Sequence, residues 1–152
     1  MSADTGTSTT SAPTTPQRAK RQPQPIPESH RDLFEKKALA HLATLMPNGS
    51  PQVTPLWVML DAEGYVIVNS ARGRQKDRNM RARPQVALSI GDPDNPQRYI
   101  QVRGRVVEVT EEGANDVINQ LAMKYNGRPY TFQAGQTRVT YKIRPDHVQA
   151  RG

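Results

Sequence analysis

The pattern of apolar and polar positions changes character near residue 26. Residues 1–25 are mostly Ser, Thr, Pro and Gln with a basic cluster at Arg18, Lys20 and Arg21. Such a stretch buries too little apolar surface to offset the entropy of ordering it, so a disordered tail is expected there. From Pro27 apolar residues recur. Ser29 is placed to cap a short helix with Leu33, Phe34 and Ala38 on its apolar face. Residues 39–45 read as a strand, Met46-Pro47-Asn48-Gly49 as a turn, and residues 52–60 as a second strand. On that strand Val53, Pro55, Trp57 and Met59 share one face, while Leu56, Val58 and Leu60 make the other apolar too. A strand apolar on both sides should be covered on both, by the domain interior and, in so short a chain, by a second subunit. Pro55 implies an interrupted or bulged ladder.

Residues 65–69 read as a third strand, 74–83 as a short basic helix ending before Pro84, and 86–90 as a fourth strand. A Pro/Asp/Asn loop over 91–96 leads into a long strand from about Arg98, and its phase shift near Val106-Val107 predicts a bulge. Glu111, Glu112 and Asp116 load the start of a helix with acid, Val117, Ile118, Leu121 and Met123 supply its apolar face, and Asn126-Gly127 ends it. In the last strand Val139, Tyr141 and Ile143 face in, and Thr140, Lys142 and Arg144 face out. About six strands in hairpin-like succession with short helices predict a mainly β, antiparallel barrel, because closing a twisted sheet removes its edges. A single domain over 26–152 follows from the length.

Composition narrows the chemistry. The net charge of +7 predicts attraction for anionic partners, and the absence of cysteine excludes disulfides, thiolate metal sites and cysteine nucleophiles. No apolar run approaches the roughly 18 residues needed to cross a bilayer, and no secretory signal core is evident, so a soluble cytoplasmic protein is expected. His30, His41 and His147 fall in different elements without metal-ligand spacing and read as ordinary surface or strand residues. The acids form no pair on one predicted face, and no Ser/His/Asp order or P-loop stands out, so no catalytic side chain and no metal are assigned. The distinctive stretch runs from Asn69 to Asn79, where a strand ends in small residues and a basic helix begins. Backbone N–H groups at the helix start, with Arg74, Lys76 and Arg78, would hold a phosphate well. A solvated basic face is the other reading, and the pattern alone does not choose between them.

The segments HLATLMPNGSPQVTPLWV, VNSARGRQKDRNMRARPQVALSI and RYIQVRGRVVEVTEEGA together resemble the pyridoxamine-phosphate-oxidase-like split-barrel family, and more narrowly its actinobacterial branch of deazaflavin (coenzyme F-420)-dependent reductases. The resemblance implies an FMN-binding-like split β-barrel that forms a homodimer, with two cofactor clefts at the subunit interface. Gln52, Val53, Thr54, Pro55 and Trp57 would run along the cofactor ring. Asn69, Ser70, Ala71, Arg74, Lys76, Arg78 and Asn79 would grip its phosphate, with Lys76 the surest match. Arg98 and Tyr99 of the partner subunit would close the cleft. Trp57 stands where pyridoxamine-phosphate oxidases proper have a basic residue, and no second substrate-phosphate motif follows Arg144-Pro145-Asp146-His147, so vitamin B6 oxidation is not expected. The expected function is hydride transfer from reduced F-420 to an unsaturated small-molecule acceptor. FMN is the alternative cofactor, and a non-catalytic F-420 carrier the alternative role. A nucleic-acid-binding barrel is disfavoured by the 5% aromatic content.

Overall fold

The computed structural model describes residues 21–152. The expected tail over residues 1–20 lies outside them. Residues 21–25 form neither helix nor strand, and the Gln24 N–H donates to Pro145 O at 2.8 Å. A 3-10 helix, Glu28–Phe34, is followed by β1 (Ala40–Leu45), β2 (Pro51–Leu56), β3 (Met59–Leu60), β4 (Val66–Ala71), α1 (Gln75–Ala82), β5 (Gln85–Asp92), β6 (Asn95–Thr110), α2 (Ala114–Asn126) and β7 (Arg138–Arg151). The strands form one antiparallel sheet in the order β2-β1-β5-β6-β7-β4-β3.

There are seven strands rather than six because the predicted second strand breaks at Trp57-Val58. Its first half pairs with β1 and its second with β4. β2 and β3 are therefore the two ends of the sheet, yet Leu56 and Met59 are only three peptide units apart. That link spans at most roughly 11 Å, so the sheet must curl until its ends nearly meet. The result is a split barrel closed along a seam by the covalent chain. Pro55 sits on an edge strand, where its missing N–H costs no ladder bond to a neighbour on the far side. The end of α2 stitches the seam: the Tyr125 hydroxyl accepts from the Val58 N–H (3.2 Å) and donates to Ala38 O (2.6 Å), and the Lys124 ammonium donates to Val58 O (2.6 Å) and Phe34 O.

Alternate residues of β1 and β4–β7, among them Leu42, Val66, Val68, Leu88, Ile100, Val102, Val139, Tyr141 and Ile143, fill the interior, with Leu56 and Leu60 of the end strands packed against them. The predicted bulge is present between Val106 and Glu108. A second shift at Arg103/Gly104 needs glycine, because a side chain there would run into the Arg144 carbonyl.

Several local expectations are corrected. The first helix starts at Glu28 behind Pro27, so Ser29 lies inside it and does not cap it. The Ser29 hydroxyl instead bonds His30 Nδ1 (2.8 Å), and His30 Nε2 bonds Arg151 O (2.8 Å), making His30 a buried tie rather than a surface or strand residue. α2 begins behind Gly113 at φ +74, which leaves Glu111 and Glu112 in the preceding turn. Its buried face is Ala114, Ile118, Leu121 and Ala122, the i, i+4, i+7, i+8 set, and Met123 is turned out at 51% exposure. The loop predicted over 91–96 shrinks to a tight turn, since β5 continues to Asp92 and β6 starts at Asn95. On β7, Thr140 and Arg144 face away from the interior yet are buried. α2 packs against β7 on that side, and Arg144 Nε pairs with Asp146 at 2.7 Å.

Candidate functional site

The turn between β4 and α1 is organised by one buried carboxylate. Gly73 takes φ +91, a conformation that only glycine adopts freely. Its N–H donates to Asp77 Oδ2 (2.9 Å), while Asp77 Oδ1 accepts from the Tyr141 hydroxyl (2.5 Å) and from Arg81 Nε (2.9 Å). Burial alone would raise Asp77, but the Gly73 N–H, Tyr141 and Arg81 together hold it below the ordinary carboxylate value. Burial and the bond to Asp77 push the Tyr141 phenol up. The inner face of α1 (Asp77, Asn79, Met80) is buried, and Arg74 and Lys76 are left for the other side.

There they meet a cleft of about 280 Å³. Its apolar wall is Leu39, Pro55, Leu56, Trp57 and Ile118, and its polar wall is Asn69, Arg74, Lys76, Tyr130 and Arg138. Trp57 at the seam stacks on Tyr125, with ring centroids 5.3 Å apart and planes within 8°. No carboxylate lines the cleft among the described residues. Burial, and then repulsion from Arg74 and Arg138, push the Lys76 ammonium below its usual value. Arg138 is 6% exposed. Its Nε donates to Asn69 Oδ1 (2.9 Å), one terminal nitrogen reaches the Tyr130 hydroxyl and Gln136 Oε1 (3.2 Å each), and its guanidinium lies 5.0 Å from the Tyr130 ring centre. Asn69 is fixed in turn by bonds to Ala114 O (3.0 Å) and Thr140 Oγ1 (3.2 Å). Three cations thus share one cleft with neutral neighbours, an arrangement that favours a bound anion.

Of the residues singled out in the sequence, Pro55, Trp57, Asn69, Arg74 and Lys76 come together here. Gln52, Val53 and Thr54 run along β2. Gln52 Oε1 accepts from Thr44 (3.4 Å), and Val53 is 58% exposed on the outer face. Ala71 is buried at the end of β4. Ser70 is buried with its hydroxyl unpartnered among the described residues, and Asn79 is fully buried, bonded to Thr44 and Gln75. Arg78 folds back onto Gly73 O and Gln75 Oε1 (2.6 Å). Arg98 is held by Asp32 (2.5 Å) and Asp92 (2.8 Å), and the adjoining Tyr99 pairs with Gly91 and Arg151, so neither reaches the cleft of its own chain. Arg138 and Tyr130 carry no motif. The outward phase of β7 places Arg138 beside Asn69, but only the loop over 127–137 folding across it makes it buried.

The outer face of β1, β2 and β5–β7 is small and uncovered. Val53, Ala43, Ala87, Arg103 and His147 form one cross-strand row, beside a groove of about 400 Å³. Among the described residues no group of three or more metal-ligating side chains occurs, and no helix is long and apolar enough to cross a membrane.

The sequence model for pyridoxamine 5'-phosphate oxidase matches residues 26–152. A solved F-420 reductase is 36% identical, covers 82% of this chain and 98% of its own, and superposes with a TM-score of 0.73. A conserved hypothetical protein from Mycobacterium tuberculosis is 25% identical over 83% of this chain and 84% of its own, at 0.68. A putative pyridoxamine 5'-phosphate oxidase from Listeria innocua, 18% identical over 74% of this chain and 86% of its own at 0.57, shares the fold. No curated protein matches. With its seam-closed barrel and a family match spanning the whole described domain but for its first five residues, the chain belongs to the pyridoxamine 5'-phosphate oxidase-like split-barrel family.

Proposed function

We propose that this chain is an oxidoreductase that binds coenzyme F-420 through its phosphate in the Trp57–Lys76 cleft and serves hydride transfer to an unsaturated organic acceptor. The observation that carries the reading is the set of Arg74, Lys76 and Arg138 around one cleft without a carboxylate, opposite an aromatic wall. That donor set fits a phosphorylated flavin-like group, since cations answer the phosphate and Pro55, Trp57 and Ile118 offer a dry surface to a ring. The 36% identical F-420 reductase supports the deazaflavin, and the match to the oxidase family supports FMN as the second reading. When bound, such a coenzyme supplies the hydride. The chain's own residues then neutralise the phosphate, orient the ring and exclude water.

The test is a titration of the protein with F-420 and with FMN, read by fluorescence of Trp57, the single tryptophan. Quenching by F-420 in the micromolar range, followed by oxidation of reduced F-420 on adding an enone acceptor, is expected. Quenching without turnover would favour a carrier. No quenching by either coenzyme would overturn the reading.

A homodimer belongs to the same proposal. The cleft of one chain, about 280 Å³, falls just below the usual size of ligand sites, about 300 to 1,000 Å³, and walls from a second chain would enlarge it. The uncovered Val53 row is the surface that a second copy would bury. Val53→Asp is expected to shift the protein from dimer to monomer in light scattering and to weaken coenzyme binding with it. A variant that stays dimeric would move the interface elsewhere.

A further inference from the structure

Arginine cannot shed its charge in a protein, so a buried guanidinium needs compensation. Of the two arginines buried outright among the described residues, Arg144 has a carboxylate partner, and so does the less buried Arg98. Arg98 is paired with Asp32 and Asp92, and Arg144 with Asp146. Arg138, the most buried of the three, has none. Its partners are an amide oxygen, a phenol, a second amide oxygen and the face of the Tyr130 ring. Burial and then repulsion from Arg74 disfavour its charge, and the neighbouring phenols of Tyr130 and Tyr141 are neutral. These contacts fix the plane of the guanidinium without cancelling its charge. Nε and one terminal nitrogen are used by Asn69, Tyr130 and Gln136, and no protein acceptor takes the other terminal nitrogen among the described residues. Arg138 lines the same cleft as Lys76 and Arg74 although it lies more than sixty residues further along the chain.

We propose that Arg138 is an anion-binding residue of the cleft, set in place by Asn69, Tyr130 and Gln136 to donate to the phosphate of the ligand beside Lys76. This rests on the reading that the cleft takes a phosphorylated coenzyme. The loop over 127–137 then acts as the support that aims Arg138. Tyr130 is itself held by its N–H, which donates to Asn119 Oδ1 of α2 at 2.9 Å.

The experiment compares ligands with and without the phosphate, FMN against riboflavin, which differ in that group alone, and F-420 against its deazariboflavin chromophore, which lacks the phosphate and the tail beyond it. Both pairs are titrated into wild type, Arg138→Gln, Arg138→Lys and Lys76→Ala. Wild type is expected to prefer the phosphorylated member. Arg138→Gln should cut that preference by tenfold to a hundredfold while leaving the phosphate-free ligand unaffected, and Arg138→Lys should recover part of it, because charge returns without the planar group that Asn69, Tyr130 and Gln136 hold in place. If Arg138→Gln keeps the wild-type preference while Lys76→Ala loses it, the Arg138 proposal fails and the cofactor reading stands. If wild type shows no preference, the cofactor reading itself falls. Should Arg138→Gln not fold, the side-chain Nε–H resonance of Arg138 in the wild-type protein decides. A shift on adding inorganic phosphate is expected, and an unmoved signal overturns the proposal.

Discussion

Lys76→Ala is expected to weaken binding of the phosphorylated coenzyme by about tenfold to a hundredfold while leaving the melting temperature unchanged or slightly higher. The two halves of this result come from one fact. Lys76 makes no ion pair among the described residues, and the groups that act on it are burial and two neighbouring cations, all of which disfavour its charge. Its ammonium is therefore a cost to the folded chain and an asset only when an anion arrives. A surface lysine with a structural role would show the opposite pattern, with lower stability and intact binding. Thermal melts and coenzyme titrations on the same preparation separate the two, and a destabilised variant with wild-type affinity would sink the idea that the cleft is an anion site.

Asp77→Ala should have the largest effect on the fold, a loss of about 3–4 kcal/mol. The carboxylate answers three donors at once, the Gly73 N–H, the Tyr141 hydroxyl and Arg81. Truncation leaves the Tyr141 hydroxyl in the barrel interior without a partner, since that side chain is fully buried. For a domain of this size such a loss lowers the melting temperature by roughly 10–15 °C. Coenzyme affinity should fall as well, because the turn that carries Arg74 and Lys76 loses its anchor. The pH dependence follows from the lowered value of Asp77. A carboxylate held below its unfolded value contributes stability that is complete above about pH 4 and is lost as pH falls through the lowered folded value. The acid limb of the stability curve should therefore be flatter in Asp77→Asn than in wild type. Equal acid limbs would mean that the charge on Asp77 adds nothing beyond its hydrogen bonds.

The strands were legible wherever one face is apolar, as in the Val139, Tyr141 and Ile143 alternation, because period two is enforced by the pleat itself. The break at Trp57-Val58 was not legible. Both halves of that segment are good strand sequence, and what divides them is which neighbour each can pair with, a property of the closed sheet. Lys76, Arg74 and Asn69 could be found because strand end, turn and basic helix are contiguous. Arg138 and Tyr130 could not, since nothing in the local pattern of 127–138 says that a loop will fold across Asn69. Ser70 and Asn79 show the reverse case, polar residues within the basic segment that the helix period and strand alternation send into the interior. Exposed Met123, taken for part of an apolar face, marks how narrow the buried stripe of α2 is.

One consequence of the strand order concerns assembly of the chain during synthesis. β7 lies in the middle of the sheet, between β6 and β4, and it follows both of them in sequence. Until it is made, β2-β1-β5-β6 and β4-β3 are separate pieces with unpaired edges at β6 and β4, joined through the hinge at Trp57-Val58 and the contacts of α2 with it. Such open edges are where nascent β proteins recruit chaperones or aggregate. The half-made protein should thus spend its translation time as two half-sheets awaiting a common zipper. A chain truncated ahead of Arg138 should then collect in the insoluble fraction.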